Sequence, residues 1–245
     1  MRGFGILAMV AAAALGAQAQ SGSFVVSQNG KQVGTASFRF TRTAAGFDST
    51  ALVKVEMKGL NYAISKDEKL SPASALEHVQ LNAVVNGAAV NVIATANPSG
   101  LLMNTSANGR SQTQRLAVHP AAVFLPDFDP GALETLLALA VEHNNRDLWV
   151  ILPKGTGSVE AVQLTTYADE QGTLDGKPVV VHHLLASFAG VSADLFSGSK
   201  NQLLQAELPQ QGFSLTRVGF RLKQPAKPGA PPAEATGQTA QPTAQ

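Results

Sequence analysis

The 245-residue chain has 18 basic and 17 acidic residues, 44% hydrophobic residues and no cysteine. So even a balance offers no net field to a polyanion or an anionic membrane surface, which argues against nucleic-acid binding. Without cysteine there is no thiol nucleophile, thiolate metal site, redox pair or disulfide framework, so stability has to come from a buried core.

Residues 1–19 read as a secretory signal peptide. Met1-Arg2 gives a positive start, Phe4 to Leu15 is an Ala-rich apolar run, and Ala17-Gln18-Ala19 is a small-x-small cleavage site, so the cut is expected before Gln20. The run falls short of the ~20 apolar residues that cross a bilayer, and no transmembrane span is expected after cleavage. Removing the leader takes away Arg2 alone, which leaves 17 basic against the 17 acidic residues. The expected location is the periplasm or the cell exterior.

Residues 20–223 then read as one antiparallel β domain. Asn29-Gly30, Asn86-Gly87, Asn108-Gly109 and Asp175-Gly176 supply the positive φ angles of tight hairpins, and Asn97-Pro98-Ser99-Gly100 is a further turn. Between them the side chains alternate. Gly34, Ala36, Phe38 and Phe40 share a face, as do Ala51, Val53, Val55 and Met57, and Val79, Leu81 and Ala83. Near the end, Val218, Phe220 and Leu222 are expected to face inward, opposite Arg217 and Arg221. One helix, about 130–144, interrupts the strands. Asp129 is its expected N-cap and Pro130 suits its first turn, while Leu133, Leu136, Leu137, Ala140 and Val141 form its predicted apolar stripe. Residues 224–245, rich in Pro, Ala and Gln, have little to bury and read as a disordered tail.

No catalytic signature emerges. Gly-x-Ser-x-Gly and His-Glu-x-x-His do not occur. His182 and His183 are adjacent in the strand-like run Val179–Phe188, so their side chains point to opposite faces and cannot share an ion; one is expected inside and one in solvent. Asp127-Phe128-Asp129 could contribute to a calcium site, but Asp129 as cap with Asp127 supporting the positive helix end is the simpler account. Lys154-Gly155-Thr156-Gly157-Ser158 reads as a hairpin loop, not a phosphate loop. Glu56, Glu68, Glu77, Glu160 and Glu207 lie on or near predicted strands, where an exposed position on the wet face is expected; a hydrolytic carboxylate pair would need a separation that sequence spacing does not give. No catalytic residue, metal or cofactor is assigned.

The expected fold class is therefore all-β with one packed helix, either an antiparallel open barrel or a two-sheet sandwich. Its inward apolar side chains include Phe38, Phe40, Val53, Val55, Met57, Val79, Leu81, Trp149, Phe188, Phe213 and Phe220, which would line a ligand cavity or simply fill a core. The leader, the Gly30-Lys31-Gln32-Val33-Gly34 hairpin, the long antiparallel series, the helix at Asp129–Asn144 and the Leu174-Asp175-Gly176-Lys177 hairpin together give a layout that resembles the open half-barrels of bacterial lipoprotein carriers and related envelope proteins of unknown function. The resemblance implies a curved sheet around an apolar cavity capped by helices. Non-catalytic binding of a hydrophobic or amphiphilic molecule, or of an envelope protein, is the expected role. A carboxylate-based envelope hydrolase and a structural envelope protein are the alternatives.

Overall fold

The computed structural model describes residues 20–223; the expected leader and the expected tail lie outside the described residues. Strand β1 (Gln20–Gln28) turns into β2 (Lys31–Thr43) through Asn29 and Gly30, whose φ angles are 49° and 78°. Two successive positive φ values match the right-handed twist of the flanking strands, which explains the Asn-Gly choice. The meander continues through β3 (Gly46–Met57), β4 (Leu60–Leu70), β5 (Leu76–Val85), β6 (Ala88–Asn97), β7 (Gly100–Ala107) and β8 (Arg110–Leu116). Asn86-Gly87 and Asn108-Gly109 make the same kind of turn after β5 and β7.

A short strand, β9 (Ala122–Phe124), leads to the helix α1 (Pro130–Glu142). The second half comprises β10 (Leu148–Leu152), β11 (Ser158–Thr166), β12 (Glu170–Leu174), β13 (Lys177–Phe188), β14 (Val191–Ser197), β15 (Leu203–Leu208), β16 (Phe213–Arg217) and β17 (Phe220–Leu222). Asp175-Gly176 turns β12 into β13.

All these strands belong to one large curved sheet. From β9 the ladders pass to β10, β11, β13, β14, β15 and β16, then across β1 to β2, and on in chain order to β8. Each ladder is antiparallel except β9–β10, and the sheet does not close into a barrel. β12 and β17 form a branch on the first half of β13. Of the two architectures expected, the open curved sheet is the one found. The first strand, β1, is the joint between the two meanders, because β2 lies on one side of it and β16 on the other.

The apolar side of the curve holds the core. Alternation in β2, β3 and β5 sends Phe38, Val53, Val55, Val79 and Leu81 inward, as expected. Helix α1 lies inside the curve against β1, β2, β3, β9, β10 and β15. Asp129 caps it as predicted, accepting from the backbone N–H of Gly131 at 2.9 Å and of Ala132 at 3.2 Å. Leu133, Leu136, Leu137 and Ala140 are buried, but so is Leu139, while Val141 is 63% exposed. The predicted stripe is therefore corrected at its end. The helix is covered on nearly all sides up to its last turn, and Val141 falls on the one side that faces water.

The expected strand through 217–222 is also corrected. Val218 is exposed and Arg217 is buried, the reverse of the predicted faces. Gly219, at φ 85°, breaks the period and separates β16 from β17. The inward position of Arg217 is stabilised by an ion pair that sequence periodicity does not reveal.

Candidate functional site

Two buried charge clusters fix the first turns of α1 against the sheet. On β4, Tyr62, Ile64, Lys66, Glu68 and Leu70 share the inward face. The ammonium of Lys66, fully shielded from solvent, lies 2.9 Å from Glu68 Oε2 and 2.7 Å from Asp129 Oδ2. Burial alone would pull Lys66 down, but the charges of Asp129 and Glu68 outweigh it and hold the ammonium above the ordinary lysine range. Burial pushes the Glu68 carboxyl up, and the nearby Asp129 charge adds to the push against the opposing pull of Lys66. The expected exposure of Glu68 on a wet face is thus overturned. The period places it inside, and Lys66 makes that position tolerable.

The second cluster joins α1 to both meanders. Glu134 Oε2 accepts from Arg217 Nη2 and from the Leu203 backbone N–H, each at 2.9 Å, and its other oxygen accepts from the Gln20 side-chain amide. Arg217 Nε donates to the Leu203 carbonyl at 2.6 Å and Nη1 to the Ser21 carbonyl at 3.1 Å. Its guanidinium also lies over the ring of Phe24, 4.9 Å from the centroid. Gly22 leaves the room, since a Cβ there would sit 2.7 Å from Arg217 Nη1. Burial raises Glu134 and lowers Arg217, each opposed by the charge of the other. Every oxygen and nitrogen of this pair has a structural partner, so it has no group free for chemistry on a substrate.

Between the arms of the curved sheet lies a cavity of about 440 Å³. Leu81, Ala83, Val90 and Val92 of β5 and β6 form one wall, and Phe188, Ala193, Ala206 and Leu215 of the second meander form the other. Leu133 of α1 and the 125–129 segment close the inner end. Phe128 contributes a ring in T-shaped contact with Tyr62 and Phe213, at centroid distances of 6.0 and 4.9 Å. Its φ of 59° is unusual for a bulky side chain, and the aromatic neighbours hold it there. At the rim, Lys154 Nζ pairs with Asp127 Oδ1 at 2.9 Å, linking the β10–β11 loop to the segment before α1. Asp127, three residues before Pro130, therefore pairs with Lys154. The Lys154–Ser158 stretch is a hairpin loop, as predicted. Burial and the charges of Asp127 and Asp129 keep the Tyr62 phenol well above its ordinary titration range, so it stays a neutral donor, 3.4 Å from the Asp127 carbonyl.

Of the residues expected to line a cavity, Leu81 and Phe188 lie along this one. Phe38, Val53 and Val55 are buried in the core, and Met57 packs against it. Phe40 faces a separate pocket of about 180 Å³ beside Glu134. Trp149 stacks on His119 at 3.7 Å, and Phe220 belongs to a small cluster with Val181, Phe196 and Leu204. A larger hollow of about 730 Å³ lies on the outer face of β4–β8, but it is an open trough floored by small and amide side chains that pair with one another, such as Asn82 with Asn91 and Ser106 with Ser111.

The histidines divide as their adjacency requires. His182 is half exposed and pairs with Asp169, while His183 is largely covered and lies between Glu170 at 3.2 Å and Asp194 at 2.8 Å. Among the described residues no group of three or more His, Cys, Asp or Glu side chains could hold a metal ion.

Residues missed by sequence reasoning are Lys66, Glu134 and Arg217. The one signal available was the alternation Tyr62-Ile64-Lys66-Glu68-Leu70, which places a lysine and a glutamate on the apolar face. No protein-family model matches the chain, and no curated protein matches it in sequence.

Proposed function

We propose that the protein is a non-catalytic binder of an apolar or amphiphilic molecule, held in the cavity between the two arms of the sheet. The observation that carries this reading is the cavity itself. At about 440 Å³ it falls within the ~300–1,000 Å³ of small-molecule pockets, its walls are mostly aliphatic and aromatic, and the polar side chains that line it are few, with the exposed Lys154 and Asp127 at its rim. The two carboxylates that line it suit a hydrolase poorly, because Asp129 is buried and bonded to Lys66 and Asp127 is paired with Lys154. The open curve around an apolar interior supports the architectural kinship with lipoprotein carriers, here with a single helix inside the curve. Export to the periplasm or beyond belongs to the same reading and rests on the leader-like residues 1–19.

Native mass spectrometry with solvent extraction, on protein purified from its own host, tests the proposal. A copurifying apolar molecule is the expected result. The Val191→Phe variant, which narrows the cavity from a half-buried position on β14, should lose that molecule while keeping its fold. Protein that never carries or takes up an apolar molecule would overturn the reading.

A further inference from the structure

The cavity and its rim together restrict the class of ligand, given the binding role proposed above. At about 30 Å³ per heavy atom, the share a water molecule takes in the liquid, the 440 Å³ cavity holds on the order of fifteen heavy atoms. That suits one acyl chain. No charge is to spare inside. Asp129 is the one ionic side chain in the inner wall, and its oxygens are engaged by Lys66 and by the Gly131 and Ala132 N–H groups. A polar head therefore has to remain at the rim.

The rim offers Lys154 and Asp127, one charge of each sign, on separate segments. Their side chains are 72% and 43% exposed, so their mutual bond is weak and opens easily. A head with a single charge would satisfy one of them and leave the other without its partner. A head with both charges replaces one ion pair by two, and such complementarity sets specificity more than raw affinity. We infer that the cavity takes a single-chain amphiphile with a zwitterionic head, its chain between the two arms, its anionic group on Lys154 and its cationic group on Asp127.

Lipid-stripped full-length protein should be titrated, below micellar concentrations, with myristoyl lysophosphatidylcholine, myristate, myristyl trimethylammonium and monomyristoyl glycerol. The zwitterion should bind tightest, by up to about fivefold, the scale of one exposed ion pair. Lys154→Gln should bring the trimethylammonium amphiphile up to the level of the zwitterion, and Asp127→Asn should do the same for myristate, because each variant leaves one rim charge free for a singly charged head. Replacing the myristoyl chain of the zwitterion by lauroyl should weaken binding about tenfold, as the loss of two buried methylenes requires. Equal binding of all four heads, or unchanged selectivity in both variants, would overturn the headgroup assignment and leave the cavity reading intact. No binding of any chain, or binding indifferent to chain length and to Val191→Phe, would overturn the cavity reading and this inference with it.

Discussion

Asp129 and Lys66 are 63 positions apart along the chain, yet their charged atoms lie 2.7 Å from each other inside the curve of the sheet. One oxygen of the carboxylate caps α1 and the other meets the ammonium on β4. The start of the helix is thereby registered against the first meander. Since this segment also closes the inner end of the cavity, the ion pair helps to set the cavity's shape.

Removing that lysine should be costly. Lys66→Met leaves Glu68 and Asp129 buried without a counter-charge, and a loss of about 3–5 kcal/mol is expected. Lys66→Met combined with Glu68→Leu should recover part of it, because Asp129 keeps its two helix N–H donors. Urea unfolding of the four members of this cycle measures the effect. A single Lys66→Met variant as stable as the wild type would refute the buried cluster.

Helix burial gives a contrast between two residues five positions apart. Leu136→Ala should cost about 2–5 kcal/mol, as for other fully buried leucines. Val141→Ala, at the exposed end, should stay within about 0.5 kcal/mol of wild type. Equal effects at the two positions would mean that the helix presents a different side to the sheet.

Gly22→Ala tests the second cluster. Its new methyl would collide with Arg217 Nη1 and with the Phe38 ring. About 1–3 kcal/mol of destabilisation is expected, the range for overpacking a filled site. Adding Arg217→Met relieves the collision with the guanidinium but strands Glu134, so no rescue is expected. A thermal melt of the three variants distinguishes these outcomes.

The buried charges also predict how stability changes with pH. The folded Lys66 titrates above its ordinary 10.5, because Asp129 and Glu68 outweigh the effect of burial. The native state then keeps a proton that the unfolded chain has released, so this contribution is fully present below pH 10.5 and is lost as pH climbs through the folded value. Glu68, raised above 4.5 chiefly by burial, acts in the same direction from lower pH. The folded state holds the proton longer, and stability falls as pH rises from 4.5 through the folded value. Denaturant midpoints measured from mild acid to alkali should therefore show a steeper decline for wild type than for Glu68→Gln above pH 4.5, and than for Lys66→Met above pH 10.5. Curves that run parallel throughout would contradict both assignments.

The parts of the fold that local chemistry decides were legible in the sequence. Asn29-Gly30 and Asn86-Gly87 specify their turns through backbone angles, and Asp129-Pro130 announces the helix through capping. The inner faces of β2, β3 and β5 follow from alternation, because their outward residues are polar. β4 was less legible because charged residues occupy both of its faces: Asp67 and Lys69 outside, Lys66 and Glu68 inside. β9 has only three residues, too few to establish a period. The cavity was the least legible part. Its walls are Leu81 and Val92 on one meander and Ala206 and Leu215 on the other, and only the curvature of the whole sheet brings them face to face. Leu81 and Phe188 are large apolar residues in strand-like runs and could be singled out; Ala193 and Ala206, small and packed in the core, give no such signal.

The placement of β1 also dictates an order of assembly. Its ladder to β16 pairs Phe24 with Arg217, so the strand made first is sealed by one made almost 200 positions later. Until that late segment arrives, one flank of β1 is an unprotected edge, open to wrong partners. Such distant closure makes folding slow. A chain of this design matures only after nearly all of it has been released, and a truncation before Phe213 would leave the seam open however well the first meander had formed.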